Sequence, residues 1–92
     1  MPSIFEIFGY KIYFWANESG EPIHVHISKG RPVQNSTKVW LTKSGGCIVA
    51  NNNSRIPKKD LDNLLYAITS NYFFVVLEWK KFYCTEQVKF YC

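Results

Sequence analysis

The order of apolar and polar positions divides the chain into two parts with different periods. Between residues 4 and 50, short apolar runs alternate with turn residues, the pattern of strands joined by hairpins. Residues 4–8 are aromatic and aliphatic and stop at Gly9. Residues 10–15 (Y-K-I-Y-F-W) are rich in the aromatic side chains that a pleated surface favours. Residues 17–20 (N-E-S-G) form a turn cluster. The stretch 23–27 alternates strictly, with Ile23, Val25 and Ile27 on one face and His24 and His26 on the other, and so predicts a half-buried strand. Residues 29–32 (K-G-R-P) break it, residues 38–41 (K-V-W-L) are the next strand, and 44–46 (S-G-G) turn into a short one at 47–50. Consecutive short strands with tight turns predict an antiparallel meander.

After a polar connector at 51–54 the period lengthens. Pro57 suits a first helical turn, and Leu61, Leu64, Leu65 and Ile68 fall at i, i+3, i+4 and i+7 on one helix face. Asp60 and Asp62 lie near the helix start, where the dipole favours them. Residues 72–83 have strand propensity in Y-F-F-V-V-L, but the spacing of Trp79, Phe82 and Tyr83 is helical and no turn signal separates Leu77 from Glu78. A helix there puts Val75, Val76, Trp79, Phe82 and Tyr83 on one side and gives Glu78, Lys80 and Lys81 to solvent. The break at 69–71 is either a kink or a turn, and 87–91 alternates enough for a closing strand. The expected fold is one α+β domain over residues 1–92. A small antiparallel sheet of about five strands, drawn from the N-terminal meander with the C-terminal segment as a candidate member, packs against one or two C-terminal helices.

Composition narrows the class. In 92 residues, 47% are hydrophobic and 17% aromatic, which excludes a disordered chain. Eleven Lys and Arg against seven Asp and Glu give a formal charge of +4, compatible with a nucleic acid or an acidic protein partner. The cations are scattered, with only 58–59 and 80–81 adjacent, so a solvated surface is the plainer reading. Cys47, Cys84 and Cys92 are odd in number and lack C-x-x-C spacing, which argues against a disulfide framework or a Cys-only zinc site. Free thiols fit a reducing cytosol. The first residues do not read as a signal peptide, and the longest uncharged apolar run, 72–77, is too short for a membrane span. The expected location is therefore the cytoplasm.

His24 and His26 are the only histidines. At i and i+2 of a strand their Cβ atoms lie about 6–7 Å apart. Two such imidazoles can divide acid and base roles in phosphodiester cleavage, since each titrates near neutral pH. One would deprotonate a ribose 2′-OH and the other protonate the leaving oxygen, with Lys29, Arg31 or Lys38 steadying the phosphate. They can also ligate a metal, but a third ligand is needed. Cys47, Cys84, Glu18 and Glu21 are the candidates; none has a recognisable spacing, so neither a metal nor a cofactor is expected. The plainer reading is a pair of histidines hydrogen-bonded to neighbours on a semi-exposed face. A second candidate surface joins Arg31, Lys38 and Lys43 to exposed Tyr13 or Trp15, the mixture that single-stranded nucleic acid uses. Trp15, beside a polar turn, is the ring expected near the surface, whereas Trp40 and Trp79 are expected in the core. Residues 51–55 read as a loop and Gly45 with Gly46 as a turn.

Several segments together resemble one family. They are M-P before an aliphatic strand, Gly9 ahead of I-Y-F at 12–14, E-P-I-H-V-H-I at 21–27, K-V-W-L at 38–41, and the helical part from I-P-K-K-D-L at 56–61 to Trp79 and Phe82. In these the chain resembles domain of unknown function 4160, small proteins mostly of bacteria and their phages. It departs in placing Ile23 between Pro22 and His24. The resemblance implies a small paired module of the kind found near toxin–antitoxin and phage-defence loci, and no activity.

Two functions are open at this point. The favoured one is a non-enzymatic interaction module whose partner is another protein or a second copy, with sheet edges that can add a partner strand. The alternative is a nucleic-acid-binding protein or ribonuclease-type toxin using His24 and His26. No membrane association is expected.

Overall fold

The structure is a computed structural model that describes residues 3–15, 18, 20–33 and 35–92. Five strands come first, β1 (Ser3–Ile7), β2 (Tyr10–Tyr13), β3 (His24–Lys29), β4 (Thr37–Leu41) and β5 (Cys47–Asn51). Two helices follow, α1 (Lys58–Ser70) and α2 (Tyr72–Phe82). The strands form one sheet in the order β1-β2-β3-β4-β5, antiparallel throughout. The α+β meander read from the sequence is the observed fold. Part of the turn cluster at 17–20, Asn17 and Ser19, and the opening Met1 and Pro2 lie outside the described residues.

Turn chemistry sets the strand register. Ile7 pairs with Tyr10, leaving Phe8 and Gly9 as a two-residue hairpin loop with φ of 55° and 81°. Positive φ at both positions matches the twist of the flanking strands, and Gly9 adopts it without steric cost. Thr42 closes the β4–β5 turn: its N–H donates to the Gly46 carbonyl at 2.9 Å, and its Oγ1 accepts the Gly46 N–H at 3.0 Å. The polar run after β5 serves as a clamp. Asn52 Oδ1 accepts from Thr37 Oγ1 at 2.7 Å and from the Ile56 N–H at 3.0 Å, while Ser54 Oγ donates to the Ile27 carbonyl at 3.1 Å.

The two faces of the sheet follow from period two. Ile12 pairs with Ile27, and Val25 with Val39, which pairs with Val49; this face meets Leu64, Ile68, Tyr72, Val75 and Trp79 of the helices in one buried core. The helix begins one residue later than the sequence suggests, with Pro57 at the N-cap. Tyr10 of β2 donates to Asp60 in its first turn at 2.9 Å, tying sheet to helix. The break between the helices is a kink at a single residue. Asn71 donates its N–H to the Ala67 carbonyl and accepts the Val75 N–H, so the hydrogen-bond chain continues across it.

The C-terminal segment differs from expectation. Residues 87–91 do not join the ladder. They approach the sheet at Ile23 and Lys43, beside strands that already have neighbours on both sides, so no free edge is available to pair with. Two backbone bonds hold the segment instead, Ile23 N–H to the Lys89 carbonyl at 2.8 Å and Lys43 N–H to the Cys92 carbonyl at 2.9 Å.

Helix α2 ends in a left-handed residue. Cys84 has φ 51°, and the Thr85 N–H reaches back to the Lys80 carbonyl at 3.0 Å while the Cys84 N–H reaches that of Lys81 at 3.4 Å, the paired bonds of a Schellman closure. Glycine occupies such a position without Cβ strain. Cys84→Gly is expected to raise unfolding free energy by about 0.5–1 kcal/mol, measured from the urea midpoint. A loss of stability would show that the thiol holds the helix end by some other contact.

Candidate functional site

The histidine strand supplies two members of the one cluster of three His, Cys, Asp or Glu donors found among the described residues. His24 and His26 face the opposite side of β3 from Val25 and Ile27, as period two requires. That side is covered as well, however: His24 is 1% exposed and His26 5%. The expected half-buried strand is a strand buried on both faces.

The cover comes from distant parts of the chain. Tyr13, paired with His26 across the ladder, stacks on its ring at 5.8 Å between centroids, and Trp15 meets it edge-on at 6.2 Å. Tyr13, expected at the surface, is buried; its hydroxyl donates to the Val33 carbonyl at 2.9 Å and draws the β3–β4 connection over the site. Trp40 meets His24 at 5.4 Å and is itself covered by Tyr91, stacked at 5.0 Å with planes 6° apart. Trp79 of α2 reaches round the end of the sheet, touching Phe14 at 5.3 Å and His24 at 5.4 Å. The Tyr83 hydroxyl donates to the Trp15 carbonyl and fastens the helix end to the same corner. Burial, and then the charges of Glu18 and Glu21, push the Tyr83 hydroxyl well above the ordinary tyrosine range.

Glu18, from the β2–β3 connection, completes the cluster. Its Oε1 lies 2.7 Å from His24 Nε2 and 2.9 Å from His26 Nε2. The far nitrogens are also held: His24 Nδ1 lies 2.8 Å from the Pro22 carbonyl, and His26 Nδ1 lies 3.3 Å from Ser36 Oγ. Burial raises the Glu18 carboxyl, but the hydrogen bonds and charges of the two histidines outweigh it, and the net shift is below the usual carboxylate range. Burial lowers His26, opposed in part by the Glu18 hydrogen bond and charge. Of the four third-ligand candidates, the fold therefore selects Glu18. Glu21 instead accepts from Lys38 Nζ at 2.7 Å, while Cys47 lies on β5 and Cys84 at the end of α2. All three cysteines are free thiols.

The cations do not gather here. Lys38 is held by Glu21 and sits over the Trp40 ring at 4.2 Å from its centroid. Lys29 and Arg31 are exposed at the C-terminal end of β3, beside the Phe8–Gly9 hairpin. Lys43 is exposed just past β4, at the other end of the sheet. A continuous phosphate-tracking stripe through Arg31, Lys38 and Lys43 is not formed. Trp15 is only half-buried, but its indole N–H is enclosed and has no acceptor among the described residues.

A second surface went unread in the sequence. Tyr66 is 77% exposed and Phe73 82%, and Phe74 and Leu77 are exposed beside them along the helices. Phe73 and Leu77 stand one turn apart on the side of α2 away from Val75 and Trp79. The available signal was that residues 72–77 are apolar all round, whereas only one helix face fits against a sheet.

Among the described residues, no helix is long and apolar enough to cross a membrane. Comparison with curated proteins and with solved structures returns no match. A family model described as a domain of unknown function (DUF4160) matches residues 9–80, a span that includes Glu18, His24, His26 and both exposed phenylalanines of α2. With most of its length covered by that match, this chain belongs to the DUF4160 family.

Proposed function

We propose that the protein is a non-enzymatic binding module that engages an acidic protein partner through Tyr66, Phe73, Phe74 and Leu77. The observation that carries this reading is the exposure of four large apolar side chains along one pair of helices. Apolar groups concentrated in this way mark interaction surfaces, and aromatic rings dominate binding energy at interfaces. Charge selects the partner: Lys80 and Lys81 lie three and four residues past Leu77 in the last turn of α2, on a chain of net charge +4, although Lys81 is 3.5 Å from the Glu78 carboxylate. An acidic partner is drawn to such an edge, while a second copy is repelled. The free thiols suit work in a reducing cytoplasm. Pairing of this kind also fits the toxin–antitoxin-like or phage-defence setting that the family resemblance implies.

The ribonuclease reading has weaker support. Both imidazoles are buried, and the cations intended to steady a phosphate are dispersed or already paired.

A photo-crosslinking residue placed at Phe73 in the living source cell tests the reading, with Lys59 on the exposed start of α1 as control. The expected result is one acidic protein joined at position 73 but not at 59, and lost when Lys80 and Lys81 are both changed to Glu. Joining only to a second copy, or to nothing, would overturn it. Indifference to the charge reversal would overturn the acidic partner.

A further inference from the structure

The geometry points to a binding site for one divalent transition-metal ion, of the zinc, cobalt or iron(II) class, held by Glu18 Oε1, His24 Nε2 and His26 Nε2. These carboxylate and imidazole donor atoms lie within 4.8 Å of one another. The inference is independent of the docking reading, since the two surfaces share no residue.

Hydrogen accounting is the first support. The Pro22 carbonyl can only accept, so His24 Nδ1 must carry the hydrogen between them. In a neutral ring Nε2 is then a bare lone pair, and it is aimed at a carboxylate oxygen 2.7 Å away. Two acceptors face each other unless something positive lies between them. A proton in that gap meets the need, at the cost of either an imidazolium in a nearly sealed site or a carboxyl kept protonated on Glu18 beside two bases. A metal ion meets it with both rings neutral, and serves His26 Nε2 with the same charge.

The outer contacts are the second support. Metal-ligating histidines commonly hold their other nitrogen against a carbonyl, a carboxylate or a water, which fixes tautomer and ring orientation. Here Pro22 O holds His24, and Ser36 Oγ stands at the far nitrogen of His26. Tyr13 stacked on His26, with Trp40 and Trp79 against His24, lock both rings in place. The donor set is the third support. Two imidazoles and one carboxylate suit first-row divalent ions and leave coordination positions open for water or a small anion. The Trp15 ring lies 6.2 Å from that of His26 between centroids, and its indole N–H, without an acceptor among the described residues, is a suitable donor to such a ligand. Bonds of about 2.0–2.2 Å to nitrogen and oxygen place tetrahedral donors roughly 3.3–3.5 Å apart. The present 2.7 and 2.9 Å contacts therefore open by about half an ångström on loading, mainly by outward movement of the Glu18 carboxylate.

The test uses the full chain without a histidine tag, stripped with chelator, in both wild-type form and a form with Cys47, Cys84 and Cys92 changed to Ser. Titration with Zn²⁺, followed by long-range ¹H–¹⁵N spectra of the two histidines, is expected to move both Nε2 resonances to saturation at one equivalent. The His24 Nδ1 resonance keeps its protonated position. Co²⁺ is expected to give a visible ligand-field spectrum of the same stoichiometry, and Zn²⁺ to raise the thermal midpoint. E18Q, checked as folded by circular dichroism, is expected to lose the cobalt spectrum and the thermal shift. If the wild-type resonances stay put at excess Zn²⁺, the site does not exist. Binding that survives in E18Q, or that disappears with the cysteines, would place the metal elsewhere.

Discussion

Trp79→Ala is expected to remove about 3–5 kcal/mol of folding free energy, the largest loss for any single side chain of α2. The whole stability of a domain this size is about 5–15 kcal/mol, so the variant is expected to be partly unfolded at 37 °C. The reason is position as much as size. The ring is 2% exposed and lies edge-on to both Phe14 and His24, with Tyr83 at 4.4 Å between centroids. It belongs at once to the aliphatic core and to the cover over the histidines, so truncation opens a cavity on both sides of the sheet end. Leu77→Ala, two residues away but exposed, is the control and is expected to change stability by less than about 0.5 kcal/mol. Urea unfolding of the two variants measures the difference; similar midpoints would mean that Trp79 is not the wedge described.

The second large effect separates two glutamates only three positions apart. Glu18→Ala, in chelator-treated protein, is expected to cost about 1–3 kcal/mol, because it strips the shared acceptor from two histidines that are almost wholly buried. Glu21→Ala removes a contact to Lys38 on the solvent side and is expected to cost at most about 1 kcal/mol. Glu18→Gln is expected to fall between them, since the amide keeps an oxygen that accepts and a nitrogen that donates. Equal losses in Glu18→Ala and Glu21→Ala, measured side by side by thermal or urea unfolding, would contradict the central place given to Glu18.

The elements and the buried helix face were legible because their signals are local. Alternation from 23 to 27, the break at Gly9, the Gly45–Gly46 turn, and the spacing of Leu61, Leu64, Leu65 and Ile68 each report on a few neighbouring residues. What covers the polar side of β3 was not legible. Tyr13, Val33, Tyr91 and the α2 end with Trp79 and Tyr83 arrive there from four parts of the chain, and no period in residues 23–27 encodes them. An imidazole also satisfies two expectations, since its nitrogens read as polar while its flat ring packs like an aromatic. Glu18 was legible only as one candidate of four: the fold, not the spacing, brings its carboxylate to the rings. At residues 87–91 the local alternation was misleading, because strand formation needs a vacant edge and β3 and β4 have none.

The order of the sheet has a kinetic consequence. Every strand pairs with its neighbour in the chain, so each hairpin closes a short loop and the sheet can zip from any turn without a long search. The histidine lid obeys a different rule: the Tyr83–Trp15 bond joins positions 68 residues apart and has to wait for the whole chain to be in place. The cluster of Glu18, His24 and His26 is therefore sealed late in folding, and any ion it takes up can enter while that corner is still open.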